Sequence, residues 1–127
     1  MGLEHAIHNE KLCDMLLSTK KYNDWVVTTA FYSAIHFIDH KLFPCVINGK
    51  DYKTFNLYYD VAVKSNQLSK HTLKAKLISD MLPKINAEYR WLKDACQTAR
   101  YVDYLVTTGQ AEAANLYLKT IKRNCNS

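Results

Sequence analysis

The segment from Tyr22 to Phe43 constrains the fold most, because it has the length and apolar content of a buried helix and yet carries regularly spaced polar and aromatic residues. At helical spacing these residues lie within roughly 80° of arc. We call them the polar row: Trp25, Thr29, Tyr32, His36 and Asp39. Polar groups on a buried helix face cost free energy unless they are hydrogen-bonded. The row therefore predicts either an internal hydrogen-bond network or a functional groove.

The length of the chain fits one folded domain over residues 1–127. Its longest apolar stretches are interrupted by Asp, His or Lys and fall short of the roughly 18 apolar residues of a membrane span. The N-terminal residues lack the basic start and apolar block of a secretion signal. We therefore expect a cytoplasmic protein that does not associate with a membrane.

Motifs for metal or cofactor binding are missing from the sequence. The four cysteines match no metal-ligand spacing, and neither an H-E-x-x-H motif nor a glycine-rich phosphate loop occurs. We therefore expect no metal and no cofactor, and cysteines that pack as small apolar side chains. The net charge of +5 permits contact with nucleic acid but is equally typical of solvated helix faces.

Hydrophobic periodicity predicts an all-α fold, an antiparallel bundle of four to five helices joined mostly by short links. The predicted helices run from about Leu3 to Ser18, Tyr22 to Phe43, Ser69 to Met81, Pro83 to Val102 and Gln110 to Arg123. Asn48-Gly49 predicts a turn within an insertion at 45–67, which is either a short helix or an ordered loop packed by aromatic residues. Glu10 falls opposite the apolar face of the first helix, and Lys119 and Lys122 are expected to face water on the last.

Several short motifs, in a particular order, resemble the HEPN family of helical domains over nearly the whole chain. They are Asn9, Asp24-Trp25, the segment Ala30–His36, Ser69-Lys70-His71, Tyr89–Leu92 and Ala99-Arg100-Tyr101. The resemblance implies a four- or five-helix bundle that is commonly a homodimer. Many such proteins act in RNA cleavage, toxin–antitoxin pairs or antiviral defence, and others have lost catalysis and bind RNA or a protein partner such as an antitoxin or effector.

The chain departs from the motif of the family's nucleases, which is an Arg followed after four to six residues by a His. Arg90, Arg100 and Arg123 are not followed by a His at that distance. The family's catalytic pair therefore has no counterpart here. RNA cleavage without a metal needs a base for the 2′-hydroxyl, and an Arg is not an efficient base. The resemblance accordingly favours a module that binds rather than cleaves.

Three residues are candidates for catalysis if the chain is instead a divergent ribonuclease: His36, His71 and Arg100. His36 shares its helix face with Tyr32 and Asp39, and a nearby carboxylate can fix the tautomer of a histidine and raise its basicity. His71 falls in the first turn of a helix, where backbone N–H groups favour an anion. The alternatives are a hydrogen-bonded core histidine at position 36 and a surface residue at position 71.

Arg100 and Tyr101 complete the predicted binding residues, which are Tyr32, His36, Asp39, His71, Arg100 and Tyr101. Arg100 lies at the edge of an apolar helix face, where it is suited either to a phosphate or to a structural ion pair with Asp24, Asp39 or Glu88. Three hypotheses stay open: an RNA- or toxin–antitoxin-associated binding module, a non-enzymatic interaction or dimerisation domain, and a divergent ribonuclease. The distances among His36, His71 and Arg100 distinguish the third from the others.

Overall fold

The computed structural model describes residues 2–66 and 69–126, and the side chains of these residues except 63–66. Residues 1, 67, 68 and 127 of the predicted domain, including the end of the predicted insertion, lie outside the described residues. Within the described part, the chain forms six α-helices, a 3₁₀ turn and one β-hairpin. They are α1 (Gly2–Thr19), α2 (Asn23–Leu42), β1 (Cys45–Ile47), β2 (Lys50–Tyr52), α3 (Phe55–Asn66), α4 (Lys70–Met81), the 3₁₀ turn (Pro83–Ile85), α5 (Asn86–Tyr101) and α6 (Thr108–Cys125).

The helix α2 is the centre of the bundle, and α1, α5 and α6 all pack against it. Its buried side chains include Val26, Val27 and Phe37, each no more than 1% exposed. The hydroxyl of Ser33, which is fully buried, donates to the Ala6 carbonyl of α1 at 2.6 Å. This hydrogen bond satisfies a polar group that would otherwise destabilise the core.

The segment between α2 and α4 differs from the prediction of an all-α fold. β1 and β2 pair antiparallel, with Cys45 opposite Tyr52. The predicted Asn48-Gly49 turn is confirmed, and both residues have positive φ angles, as a two-residue hairpin loop requires. The hairpin is followed by α3, so the bundle is mostly helical with a small two-stranded addition. Strands of three residues are too short to show the alternating pattern from which a strand is predicted.

Polar residues cap two of the helices as their sequences indicate. Ser69 accepts a hydrogen bond from the Thr72 backbone N–H at 3.1 Å and so confirms the predicted start of α4. Thr107 and Gln110 form a reciprocal capping box at the start of α6. This helix therefore begins at Thr108, two residues before the predicted start.

Lys119 and Lys122 were expected to face water, but they are only partly exposed because both also bind Glu10. Glu10 of α1 is only 6% exposed, and its carboxylate accepts hydrogen bonds from Lys119 at 2.7 Å and Lys122 at 2.9 Å. Burial raises the pKa of Glu10, but the two lysines outweigh this effect, so its pKa lies below the ordinary value of 4.5. A buried carboxylate is stable only with such partners, and this ion cluster joins α1 to α6.

We expect the substitution Glu10→Gln to lower the free energy of unfolding by about 1–3 kcal/mol at neutral pH, because it removes a charged hydrogen-bond acceptor from both lysines. The stabilisation by ionised Glu10 is present above the pKa of the unfolded state and is lost as the pH falls through the lower pKa of the folded state. Urea unfolding of the wild type and of Glu10→Gln should show that the difference in their free energies of unfolding becomes smaller below about pH 5.

The matched control is Glu112→Gln, at an exposed position of α6. It should change the free energy of unfolding by less than about 0.5 kcal/mol. The role of the ionised carboxylate would be contradicted if the free energies of unfolding of Glu10→Gln and the wild type differed by the same amount at neutral and acidic pH.

Candidate functional site

The polar row of α2 lies at the surface of the bundle. Trp25 is 52% exposed and Tyr32 is 37% exposed, whereas the adjacent Val26 and Phe31 are buried. Thr29 is buried beneath this surface, and its hydroxyl donates to the carbonyl of Trp25 at 2.7 Å within the same helix. The row is therefore partly exposed, and Trp25, Thr29, Tyr32 and His36 line a surface groove.

Two adjoining cavities form this groove between α2 and α5. The larger, of about 350 Å³, is lined by Asn9, Trp25, Thr28, Thr29, Tyr32, His36 and Arg100. The smaller, of about 120 Å³, is lined by Phe31, Tyr32, His71, Lys93, Cys96, Gln97, Arg100 and Tyr101. Because Tyr32 and Arg100 line both cavities, we treat them as one site and call it the α2–α5 groove. Its lining residues include no carboxylate, and Lys93 and Arg100 are both cationic.

Arg100 lies where the two cavities meet and is held by tyrosines. Its Nη1 donates to the hydroxyl of Tyr32, and its guanidinium carbon lies 5.1 Å from the ring centroid of Tyr101. Among the described residues it forms no salt bridge, so the predicted ion pair with Asp24, Asp39 or Glu88 is not the arrangement found. A guanidinium has five N–H donors, which leaves further donors for an anionic ligand.

Asp39 lies beyond the groove, at the end of the polar row. Both of its carboxylate oxygens accept from Nζ of Lys74 on α4, at 2.8 and 2.9 Å. Burial lowers the pKa of Lys74, and the carboxylate of Asp39 opposes this effect. Asp39 therefore binds α4 to α2, and it lines a different cavity, together with His5 and His40.

His36 lies at the end of the larger cavity, next to Asp39. Its ring packs against His5 of α1 with 4.9 Å between ring centroids. Burial lowers the pKa of His36 below 6.5, and His5 and Lys74 lower it further, while Asp39 acts in the opposite direction. The imidazole is therefore mostly neutral at pH 7.

His71 lies in the smaller cavity, with its ring centroid 6.4 Å from that of Phe31. Burial, Lys93 and Lys74 all lower its pKa. The structure thus places His36 and His71 in different cavities, with Arg100 contributing to both. General acid–base catalysis needs its groups within hydrogen-bond or one-water reach of the same reacting atoms. A ligand that contacts both histidines would therefore span both cavities of the groove.

Lys93 and Gln97 line the groove although their positions on α5 are typical of an outward-facing helix surface. The signal that identifies them is their spacing from Arg100. Residues 93, 97 and 100 follow the i, i+4, i+7 pattern and so share one face of α5. That face borders the polar row because α5 packs against α2.

No group of three or more His, Cys, Asp or Glu side chains in the described part of the chain is arranged to hold a metal ion. The four cysteines are free, and Cys13, Cys96 and Cys125 are buried, as small apolar side chains would be. The described helices include none that is long and apolar enough to cross a membrane.

Comparisons of the chain with protein-family models, with curated proteins and with solved structures give no match. The likeness to the HEPN family therefore rests on the sequence motifs quoted above. The chemistry of the groove is the independent basis for inferring a function.

We expect the substitution His5→Ala to raise the pKa of His36. It removes a ring that shields His36 from water and a second imidazole whose positive charge disfavours its protonation. A pH titration followed by NMR of the imidazole protons measures this directly. His8→Ala, at an exposed position one turn along α1, is the control and should leave the pKa of His36 unchanged. An equal or lower pKa in His5→Ala would contradict the packing described here.

Proposed function

We propose that the chain is a HEPN-like helical module that binds single-stranded RNA in the α2–α5 groove and does not cleave it. The observation that carries this proposal is the composition of the groove. It combines the cations Lys93 and Arg100 with the aromatic side chains of Trp25, Tyr32 and Tyr101, and its lining includes no carboxylate. Proteins that bind single strands combine the same two elements, a positive groove and aromatic surfaces.

Arg100 is the residue to which we assign phosphate binding. Its guanidinium is oriented by Tyr32 and Tyr101, so little side-chain freedom is lost when a phosphate binds. A guanidinium matches the geometry of two phosphate oxygens and keeps its charge at every physiological pH. Lys93 adds a second positive charge on the same side of the groove.

The surroundings of the two histidines support binding without cleavage. Transfer of a proton to the leaving oxygen needs an acid near its pKa, beside a base at the 2′-hydroxyl. The pKa values of His36 and His71 are both lowered, so both rings are mostly neutral at pH 7. They also lie in different cavities. A neutral imidazole at either position is suited to hydrogen bonding with a ribose or a base.

The family likeness supports a role in a toxin–antitoxin pair or in antiviral defence in the cytoplasm, as a homodimer with an antitoxin or effector as protein partner. Two alternative functions are compatible with the same fold. A non-enzymatic interaction domain would bind no RNA, and a divergent ribonuclease would cleave it through His36, His71 and Arg100. RNA titration combined with gel analysis of the RNA separates the three.

We expect Arg100→Ala to weaken binding of a single-stranded RNA about tenfold at low salt, because one charge-assisted contact is lost. The slope of log K against log salt should fall by about 0.7, the value for one phosphate contact on a single strand. Fluorescence anisotropy at several salt concentrations measures both quantities, and circular dichroism verifies that the fold is intact.

The matched control is Arg90→Ala on the same helix. Arg90 is exposed and lines another cavity, which Lys93 also borders. Because the carboxylates of Asp80 and Asp94 line that cavity and disfavour a phosphate there, loss of Arg90 should leave binding nearly unchanged. Absence of binding by the wild type at low salt, or equal weakening by both substitutions, would contradict the proposal. If the wild type produced RNA fragments and His36→Ala did not, the result would support the divergent ribonuclease instead.

A further inference from the structure

The segment that follows α5 exposes an unusual amount of apolar surface. Tyr101, Val102, Tyr104 and Leu105 are each between 70% and 79% exposed. Soluble proteins seldom keep large apolar side chains together at the surface without a ligand or partner. We call residues 101–105 the exposed segment.

The backbone of the exposed segment is fixed at several points. The amides of Val102 and Asp103 donate to the carbonyl of Thr98 at 3.0 and 2.9 Å. The Asp103 carboxylate accepts from the amide of Leu105 at 2.9 Å. Past its end, the side chain of Asn23 on α2 donates to the carbonyl of Val106 at 3.0 Å. The backbone of the segment is thus ordered before a ligand binds, which reduces the entropy lost on binding.

The exposed segment begins inside the α2–α5 groove. Tyr101 lines the smaller cavity, and its ring lies beside the guanidinium of Arg100. Tyr104 follows three residues later with 70% of its surface exposed. Both tyrosine rings are therefore exposed at the end of α5, and Tyr101 is the one that lines the groove.

We infer that Tyr101 and Tyr104 form a stacking surface for the unpaired bases of the single-stranded RNA proposed above. This inference rests on the proposed function. In a duplex, the base faces are already stacked on one another and are not accessible to side chains. The occupant we commit to is an anion because Lys93 and Arg100 line the smaller cavity with Tyr101 and outnumber the one carboxylate of the segment, Asp103, which accepts from the amide of Leu105. A second copy paired through this same segment would instead bring its Lys93 and Arg100 towards those of the first copy.

The test compares two labelled oligomers of about 12 units, a length within the usual range for single-strand sites. One is single-stranded oligoadenylate, and the other is an abasic sugar–phosphate chain of the same length. We expect the wild type to bind oligoadenylate about tenfold or more tightly than the abasic chain. The double substitution Tyr101→Leu and Tyr104→Leu keeps apolar surface but removes these two rings, and it should lose most of the preference for oligoadenylate.

The control substitution Val102→Ala removes apolar surface between the two tyrosines and should leave the preference for oligoadenylate unchanged. Equal binding of both oligomers by the wild type would overturn the stacking surface while leaving RNA binding by the groove intact. A preference that is undiminished in the double leucine variant would also overturn it. Binding of neither oligomer would refute both the inference and the proposed function. Light scattering tests the alternative that a second copy covers the segment. A molecular mass that rises with protein concentration in the wild type, but not in Val102→Ala, would show this.

Discussion

The packing of three helices against α2 is the constraint on which the rest of the structure depends. α1, α5 and α6 cover most of the circumference of α2 and bury its apolar side chains. The remaining strip of its surface carries Trp25, Tyr32 and His36 at half-exposed or exposed positions. Polar residues on so apolar a helix are tolerated because they are either partly exposed on this strip or hydrogen-bonded, as buried Thr29 and Ser33 are. The groove is therefore a consequence of how the bundle closes around its central helix.

The cationic side chains discussed above differ in what they contact. Lys74, Lys119 and Lys122 are bound to carboxylates, and these ion pairs connect helices that are distant in sequence. Arg100 is instead held by aromatic rings at the surface. A net charge alone does not distinguish a binding surface from a solvated one. The distinction lies in which cations have their charge neutralised within the fold and which remain available to a ligand.

Much of the fold was predictable because it depends on local patterns. The long periodic helices and the caps at Ser69 and Thr107 are determined by residues close together in sequence. The hairpin was not predicted, since three-residue strands leave no pattern. The burial of Glu10 was not predicted either, because helical spacing gives the faces of one helix but not which neighbour covers them. For the same reason, spacing identified the polar row but could not establish that it is partly exposed. It also could not establish that His36 and His71 line different cavities.

Mapping of RNA contacts by NMR tests the central claim, that the uncovered face of α2 and the adjoining face of α5 bind RNA. In a titration of the uniformly labelled protein with single-stranded RNA, we expect the largest amide shift changes at residues 25–36 and 93–105. The outer face of α6 around Glu112 and Leu116, which is exposed and distant from the lining of the groove, should change little. Changes concentrated on α6, or no changes at low salt, would contradict the account.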